Sequence, residues 1–486
     1  MDDVGGCVDG RDGAAVTLTA DQQRAVDLCL AGRSTAVLGP AGTGKSLVLR
    51  TVVRALRARG LPDSAMPVTA PTGIAALNVG GVTIHSWGGI GLARPSAAQL
   101  AKKIEETEYS RTRWEKAKVL IIDEISMMSG ELLDKLEYIA RTVRCNEAVF
   151  GGLAVIVFGD FAQLPPVRAT MYAFESRTWA RLYDNSRNVV SLTTIMRQRG
   201  DGADEFIRLL HAIRTGNVSD EIVSALNKLQ RPLPCKDGIQ PTMLYSHNAE
   251  VDEINEKRIR DLPGTAVEYA AKDEYGGEQE ALTQLNRIAR APEVLTLKLG
   301  AQVVLIYNID PAAGLVNGSR GVVTVLGEKP TVRFSNGVSR IMEHSRWATR
   351  CRQTGTLAIR MQFPLRLAYA MTIHKSQGMS IDSLAVSVNE SFEPGQAYVA
   401  LSRATSMAGL QLIGAFDRSA IVPSDRISSF FAALEGGSPF ISSFKNQWDE
   451  LDRDILFKAA AAPKPKREQV TKPKKRGRWG GYGRKR

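Results

Sequence analysis

One glycine-rich segment has the residue types needed to hold phosphate groups and a divalent metal ion. It runs Gly39-Pro40-Ala41-Gly42-Thr43-Gly44-Lys45-Ser46 and matches the pattern GxxxxGK[ST]. In this pattern successive backbone N–H groups turn inward around a β-phosphate, the lysine reaches the β- and γ-phosphates, and the hydroxyl ligates Mg²⁺. An apolar strand precedes the segment and a helical period follows it, which favours a nucleotide site over a structural glycine-rich turn. We predict that the whole segment binds nucleotide and that Ser46 is a metal ligand.

Acidic and amide side chains follow two apolar runs, where they can complete a hydrolytic site. Asp123-Glu124 comes directly after Val119–Ile122, and Gln163 follows a second run of this kind. Asp123 can hold Mg²⁺ opposite Ser46, while Glu124 can orient and polarise the attacking water. Gln163 can sense the γ-phosphate, because α/β sheets place ligands at the carboxyl ends of their strands; the alternative is an ordinary proline-terminated loop. We predict that these three residues and the loop lysine form a catalytic set.

Hydrolysis also needs cations that stabilise the charge developing on the γ-phosphoryl oxygens, a contribution of about 10³–10⁵ in rate. Arg197, in the segment 192–198, and Arg403, in the segment 398–404, are the candidates. The chain has 63 lysines and arginines, and a single arginine is usually a solvated surface residue. Their assignment therefore depends on the family resemblance described below.

The apolar pattern predicts an α/β architecture up to about residue 190. Residues 35–38, 119–122 and 153–158 are short continuous apolar runs, typical of parallel strands buried on both faces. Residues 47–59 and 131–144 have the apolar period of helices with one buried face.

The pattern changes near Pro292. Short strand-like runs are separated by Asn317-Gly318 and Asn336-Gly337, dipeptides preferred in tight hairpin turns. We predict a small β-barrel over about 293–363, inserted in a second α/β lobe whose strands resume at 384–388 and 410–413.

Composition and charge limit the class of protein. A chain of 486 residues, 44% hydrophobic and 23% charged, suits a soluble protein of about three domains. No apolar run approaches the roughly 18 residues of a membrane helix, and the acidic start lacks the features of a secretory or transit signal. The five cysteines form no CxxC pair, so we expect reduced, mostly core thiols in an intracellular protein.

The positive charge is concentrated in the tail. Of the net charge of +12, the segment 463–486 contributes +10, with eleven Lys or Arg against Glu468. Trp479 and Tyr482 lie among these cations, a combination that suits nonspecific nucleic-acid binding, and 472–476 resembles a nuclear-localisation patch. We predict a disordered tail; a purely solubilising role is the alternative. Any nucleic-acid site in the body must then be a local groove.

The series of motifs resembles superfamily-one helicases, and closely the PIF family of 5′→3′ DNA helicases. Leu18-Thr19-Ala20-Asp21-Gln22 resembles the adenine-reading segment, 69–76 and 80–86 resemble the first single-strand-contacting motifs, and 372–378 resembles the segment that couples DNA to nucleotide. The most particular segment, 134–152, departs from the usual pattern at Val149, where a proline normally precedes Phe-Gly-Gly. Trp87 replaces a common phenylalanine. The resemblance covers about residues 17–420.

The resemblance implies ATP and Mg²⁺ as cofactors, Gln22 as the adenine reader, and Arg197 and Arg403 as arginine fingers. It implies DNA contacts by Pro71, Thr72, Gly73, Thr83, His85, Ser86, Thr372, His374, Lys375, Ser376 and Tyr398. It also implies two RecA-like parallel-sheet lobes with a small SH3-like β-barrel inserted in the second. The expected domain bounds are a disordered N-terminus 1–16, lobe 1A 17–190 with a wedge near 88–113, lobe 2A 191–292 and 364–420, barrel 2B 293–363, a helical segment 421–462 and the tail 463–486.

The predicted function is that of an ATP-dependent helicase moving 5′→3′ on single-stranded DNA in replication, repair, recombination or telomere maintenance. Its expected partners are single-stranded, tailed and structured duplex DNA, including G-quadruplexes or RNA–DNA hybrids, and we expect a monomer. The nucleus is the expected compartment in a eukaryote, with the mitochondrion as a second, and the cytoplasm in a bacterium or virus.

Two other functional classes compete with this prediction. A non-motor P-loop ATPase would need only one lobe, and DNA-stimulated ATP hydrolysis would distinguish it. A nucleic-acid-binding protein with an inactive nucleotide site would not need the full catalytic set. Within helicases, the RecD-like group is the nearest rival, and the segment 134–152 argues against it.

Overall fold

The computed structural model describes residues 8–9 and 15–448, except positions 168, 184–186, 199, 236–237, 290, 311, 351–355, 389–390, 392, 423, 439, 441, 443 and 446–447. The predicted basic tail 463–486 lies outside the described residues. Of the predicted disordered N-terminus, β1 (Val8–Asp9) and β2 (Ala15–Val16) instead form a short antiparallel pair. Valine favours extended backbone, which fits the strands found at these four positions.

The N-terminal region is built on a six-stranded parallel sheet. Its strands are β3 (Thr35–Leu38), β4 (Val68–Ala70), β5 (Val82–Thr83), β6 (Val119–Ile122), β7 (Ala154–Gly159) and β8 (Val189–Ser191). They lie in the order β5-β4-β6-β7-β3-β8. Both faces are buried: Leu120 and Ile122 pack in one apolar cluster, and Val119 and Ile121 in another. The strand predicted at 153–158 begins and ends one residue later, and the other two are confirmed.

Helices cover both faces of this sheet. They are α1 (Ala20–Leu30), α2 (Lys45–Ala58), α3 (Gly73–Asn78), α4 (Ile84–Trp87), α5 (Ala97–Glu105), α6 (Glu108–Lys116), α7 (Gly130–Val143) and α8 (Arg177–Leu182). The predicted apolar face of α7 is confirmed, since Leu133, Leu136 and Ile139 are fully buried. The predicted wedge segment contains α5 and most of α6, and Lys135 of α7 donates to the carbonyl oxygens of Ala93 and Pro95 before α5.

The C-terminal region combines a second parallel sheet with antiparallel sheets. Its strands are β9 (Thr242–Tyr245), β10 (Val267–Ala270), β11 (Lys272–Glu274), β12 (Val294–Leu297), β13 (Gln302–Leu305), β14 (Arg320–Val325), β15 (Thr331–Phe334), β16 (Ser339–Ile341), β17 (Ser345–Arg350), β18 (Leu357–Gln362), β19 (Leu365–Leu367), β20 (Ala370–Thr372), β21 (Leu384–Val386) and β22 (Leu410–Leu412). Strands β20-β9-β21-β22 form the parallel sheet. The second α/β unit predicted around the insertion is therefore present.

The inserted segment is β-rich, as predicted. Strands β16-β15-β14-β13-β19 form a five-stranded antiparallel sheet, β11-β18-β17 a three-stranded one, and β10 pairs with β12. Of these, β10 and β11 precede the predicted start of the insert at 293. Gly337 (φ 85°) has the left-handed backbone of a tight hairpin turn between β15 and β16, which confirms that prediction. Gly318 (φ 96°) lies instead near the end of the long connection from β13 to β14, so the tight hairpin predicted there is wrong. The helices of this half are α9 (Ala203–Thr215), α10 (Asp220–Asn227), α11 (Asn248–Asp261), α12 (Gln279–Ile288), α13 (Ile373–Ser376), α14 (Gln396–Leu401) and α15 (Asp425–Glu435).

Helix α15 returns from the second sheet to the first. Ile427 and Phe430 join the apolar cluster beneath the N-terminal sheet, and Arg426 forms an ion pair with the buried Glu175. The chain therefore crosses between its two halves once more after completing the second sheet.

Two expectations from composition can be compared with the structure. Of the three cysteines described, Cys29 is buried, whereas Cys145 and Cys235 are exposed; the other two lie outside the described residues, so the prediction that most of the cysteines are in the core stays a prediction. In the described part of the chain, no helix combines the length and apolarity needed to cross a bilayer.

Candidate active site

The glycine-rich segment forms the turn between β3 and α2. Gly42 and Gly44 have φ angles of 89° and 84°, a region that glycine enters without strain. A Cβ on Gly42 would lie 2.7 Å from Cβ of Arg197, and one on Gly44 would lie 2.6 Å from Nε2 of Gln22. Helix α2 begins at Lys45, so its free N–H groups face the turn and provide an anion site. The loop therefore fits a bound polyphosphate, and both glycines are needed for its shape.

Lys45 and the acidic pair lie together at this turn. Nζ of Lys45 donates to the carbonyl oxygens of Gly39 at 2.7 Å and Pro40 at 2.9 Å. Burial lowers the pKa of Lys45, and the nearby carboxylates of Asp160, Glu124 and Asp123 oppose this shift. The loop lysine therefore lies among carboxylates from the ends of two neighbouring strands.

Asp123 and Glu124 end strand β6. Burial, and then the neighbouring Glu124, raise the pKa of Asp123 to about 7. Burial also raises the pKa of Glu124, against Lys45, Arg403 and Gln377. Glu124 has a left-handed φ of 52°, a conformation that costs about 1–3 kcal/mol in a non-glycine residue and is often found at functional sites.

The buried amide of Gln377 faces the acidic pair. Its side-chain hydrogen bond with Glu124 favours the charged carboxylate and so opposes the rise in the pKa of Glu124. In the described residues no group of three or more His, Cys, Asp or Glu could hold a metal ion. Ser46 and Asp123 therefore suit a Mg²⁺ ion that takes its other ligands from phosphate and water.

Both predicted arginine fingers reach this site. Nη1 of Arg197 donates to the carbonyl oxygen of Ser402 at 3.0 Å. Arg403 is 1% exposed, and its Nε donates to the carbonyl oxygen of Val399 at 2.8 Å. Burial, and then Arg197, lower the pKa of Arg403 to about 9. A buried cation beside a half-buried one is unfavourable unless an anion joins them, so the cluster fits the charge of a triphosphate.

Gln163 and Gln22 adjoin the loop from other sides. Gln163 is 3% exposed and follows β7, whose Gly159 accepts a hydrogen bond from the N–H of Gly39. Nε2 of Gln22 donates to the carbonyl oxygen of Thr43 at 3.0 Å. The predicted adenine reader therefore also supports the phosphate turn directly.

The predicted DNA-contact residues fall into two groups at the carboxyl ends of the two sheets. In the first group, the segment 71–73 follows β4, Thr83 ends β5, and His85 and Ser86 lie in α4. Thr372, His374, Lys375 and Ser376 follow β20. The two groups adjoin at Asn78, which ends α3: a Cβ on Gly378, after α13, would lie 2.6 Å from Nδ2 of Asn78. Asn317, from the inserted segment, also reaches this point, since its Nδ2 donates to Oδ1 of Asn78 at 2.6 Å.

Three of these residues are buried within the protein, and contact between them and DNA stays a prediction. Ser376 is fully buried and donates to the carbonyl oxygen of Ile373. Thr372 is 3% exposed and caps α13 by accepting from the N–H of Lys375. The hydroxyl of Tyr398 is also buried and accepts from the N–H of Ala41 at 2.8 Å, so this residue belongs to the nucleotide loop.

His374 and Lys375 remain partly exposed. His374 lies 3.3 Å from a carboxylate oxygen of Glu393, and Lys375 donates to Oδ1 of Asn248 at 2.9 Å. Their positions at the surface are compatible with the predicted contact.

Sequence reasoning missed Asp160, Gln377 and Arg214. The first two lie inside recognised motifs, and a systematic reading of every polar motif position would have found them. Arg214 lies in an ordinary amphipathic helix and carries no local signal; it pairs with Asp160 at 2.8 Å.

Comparisons with known proteins agree with this geometry. The family model PIF1-like helicase matches residues 17–224, and the model DNA helicase Pif1, 2B domain, matches residues 280–326. The ATP-dependent DNA helicase PIF1 of Homo sapiens is 39% identical over 429 residues, covering 86% of this chain and 64% of that protein. The Xenopus laevis protein of that name is 38% identical over 428 residues, covering 86% of this chain and 65% of that protein. The chain thus spans slightly less than two thirds of these curated relatives.

Solved structures extend the comparison. The crystal structure of Pif1 helicase from Candida albicans has a TM-score of 0.75 and 38% identity, covering 86% of this chain and 100% of that one. Bacteroides sp Pif1 in complex with ADP-AlF4 has a TM-score of 0.71 and 30% identity, covering 87% of this chain and 98% of that one. Bacteroides Pif1 bound to ssDNA has a TM-score of 0.61 and 30% identity, with the same coverage. On these matches, the chain belongs to the PIF1-like helicase family.

Proposed function

We propose that this chain is an ATP-dependent DNA helicase that translocates 5′→3′ on single-stranded DNA and unwinds duplexes. The observation that carries the proposal is the composite nucleotide site. Lys45, Asp123 and Glu124 belong to the half built on the first sheet, and Arg403, after α14, belongs to the half built on the second. A non-motor ATPase needs no buried arginine from a second sheet, and an inactive site needs no complete catalytic set. A site divided between two sheets can convert hydrolysis into relative motion.

Each residue of the site has a role in this proposal. Bound ATP would supply the phosphoanhydride bond that is broken, and Mg²⁺ would neutralise part of the phosphate charge. Lys45 and the loop N–H groups hold the phosphates, and Ser46 and Asp123 hold the metal. Glu124 orients and polarises water, and Gln163 senses the γ-phosphate.

Arg197 and Arg403 give hydrolysis a mechanical consequence. Both guanidinium groups are buried near one another, and the triphosphate offsets their repulsion. Loss of the γ-phosphate weakens that compensation, which favours separation of the two halves. Alternation between closed and separated halves would change the distance between residues 71–73 and residues 374–375 along the bound DNA strand.

The finer architecture belongs to the same proposal. We assign lobe 1A to 17–190, lobe 2A to 191–292 and 364–420, and an SH3-like 2B barrel to 293–363, with α5 and α6 in the wedge. The match to the 2B family model at 280–326 supports the location of the insert.

One solved structure of a relative describes DNA unwinding at forked dsDNA by two coordinating Pif1 helicases. The monomer that we propose is therefore the state of the protein free of DNA. We assign it to the nucleus if the source is eukaryotic.

Strand displacement with tailed duplexes tests this function. A duplex with only a 5′ single-stranded tail should unwind with ATP, and one with only a 3′ tail should not. Lys45→Ala is the matched inactive control. Unwinding from the 3′ tail alone would overturn the polarity. ATP hydrolysis that DNA does not stimulate, with no unwinding, would favour a non-motor ATPase. DNA binding without hydrolysis would indicate an inactive nucleotide site.

A further inference from the structure

The loop that carries Gln163 contacts residues from the C-terminal half as well as from its own half. It starts at Asp160, which is completely buried. Arg214, in α9 of the C-terminal half, makes two parallel hydrogen bonds to this carboxylate. Nη2 lies 2.8 Å from Oδ1, and Nε lies 3.2 Å from Oδ2. Paired contacts of this kind fix both the position and the orientation of a carboxylate.

The next three loop residues also contact the C-terminal half. The ring of Phe161 meets that of Phe430 in α15 edge-on, with centroids 5.2 Å apart. Gly395, before α14, approaches so closely that a Cβ there would lie 2.3 Å from the carbonyl oxygen of Ala162. It would also lie 2.6 Å from the carbonyl oxygen of Gln163. Each residue from 160 to 163 is therefore in contact with the C-terminal half.

Arg214 itself is supported by α15. Its guanidinium carbon lies 4.3 Å from the ring centroid of Phe431, an arrangement in which the ring stabilises the cation. Its side chain is only 9% exposed. Asp160 and Phe431 thus hold the guanidinium from two sides, and α15 is anchored to the first sheet by Phe430 and Arg426.

We propose that Arg214 is a positioning residue for nucleotide hydrolysis, holding Asp160 and so placing Gln163 for the γ-phosphate, with α15 as its support. This inference rests on the proposed function. Arg214 acts through the loop because its bonds are to Asp160, and burial of Asp160 leaves it little freedom to change partner. Closing the two halves then brings the arginine fingers and the γ-phosphate sensor into place by the same movement.

The test is steady-state ATP hydrolysis with saturating single-stranded DNA in Arg214→Gln, Arg214→Lys and a control, Arg208→Gln, from the exposed side of the same helix. Arg214→Gln should lower kcat by up to about 100-fold, the effect expected from a misplacement of about 1 Å, with a smaller change in KM. Arg214→Lys should recover part of the loss, because it keeps the charge without the paired geometry. The control should match the wild type.

A binding measurement separates positioning from a structural role. Arg214→Gln should weaken binding of ADP·AlF₄⁻, a mimic of the transferring phosphoryl group, far more than binding of ADP, because only the mimic reaches Gln163. Equal weakening of both would mean a structural role and would overturn the inference.

Gly395→Ala provides a second variant that leaves all charges in place. Its Cβ would displace the loop backbone, so it should show the same selective loss of kcat and of ADP·AlF₄⁻ binding, and it decides the matter if Arg214→Gln fails to fold. Near-normal kcat in Arg214→Gln, with an active wild type, would overturn this inference alone. A wild type that does not hydrolyse ATP would overturn the proposed function as well.

Discussion

Replacing Arg403 with methionine should abolish hydrolysis yet stabilise the nucleotide-free protein. The pKa of Arg403 falls from its usual 12.5 to about 9, through burial and then the nearby Arg197. At pH 7 the residue is charged in both folded and unfolded states. The folded state therefore bears a penalty on the order of 5 kcal/mol, at about 1.4 kcal/mol per tenfold change in proton affinity. The penalty would be relieved only as pH rises through 9 toward 12.5.

Loss of the arginine's hydrogen bonds opposes this gain. Its guanidinium donates to the carbonyl oxygen of Val399 and to Oγ of Ser402, and leaving these acceptors unpaired costs about 1–3 kcal/mol. Methionine fills a similar volume, so no large cavity should form. We expect the free energy of unfolding at pH 7 to rise by about 1–4 kcal/mol, the range seen when buried charges are replaced by apolar residues.

Urea unfolding without nucleotide, followed by tryptophan fluorescence, measures the effect. Arg360→Met is the matched control, because Arg360 is equally buried but paired with Asp273. Breaking that pair should instead cost about 3–5 kcal/mol. A loss of stability in Arg403→Met of more than about 1 kcal/mol, beyond the error of linear extrapolation, would refute the reasoning. Such a loss would mean that the carboxylates of Glu124 and Asp160 already stabilise the charged Arg403 in the folded protein.

Three further predictions concern the nucleotide site and the tail. Lys45→Ala should abolish ATP hydrolysis but retain single-strand binding, measured by fluorescence anisotropy, since the lysine bonds only the phosphate turn; loss of both would mean that the sites overlap. Arg197→Ala should lower kcat by about 10³-fold or more with a smaller change in nucleotide affinity, and a near-normal kcat would exclude it as a finger. Deletion of 463–486 should leave hydrolysis at saturating DNA intact. It should flatten the slope of log affinity against log salt by about two to three, because the loss of about three or four phosphate contacts removes about 0.7 from the slope per contact. Parallel slopes would favour a localisation or solubility role for the tail.

Local sequence determined much of the architecture and the core of the nucleotide site. The strands at 35–38 and 119–122 and the turn at Gly337 were predictable, because apolar period and turn chemistry depend on neighbouring residues. The loop 39–46 and the pair Asp123-Glu124 were predictable for the same reason, as each is a contiguous motif beside a recognisable strand. The arginine fingers required family resemblance, since an arginine has no distinctive local pattern.

Tertiary structure decided which motifs meet and which side chains reach solvent. Tyr398 was expected on DNA, but it is buried against Ala41, 357 positions away in the chain. Arg214 pairs with Asp160 across 54 positions, and Phe430 in α15 packs on Phe161. Such contacts depend on the path of the chain between the two sheets, and no short window of sequence records that path. The sequence thus determined the chemical groups and the elements that carry them, while packing between the two halves decided their partners.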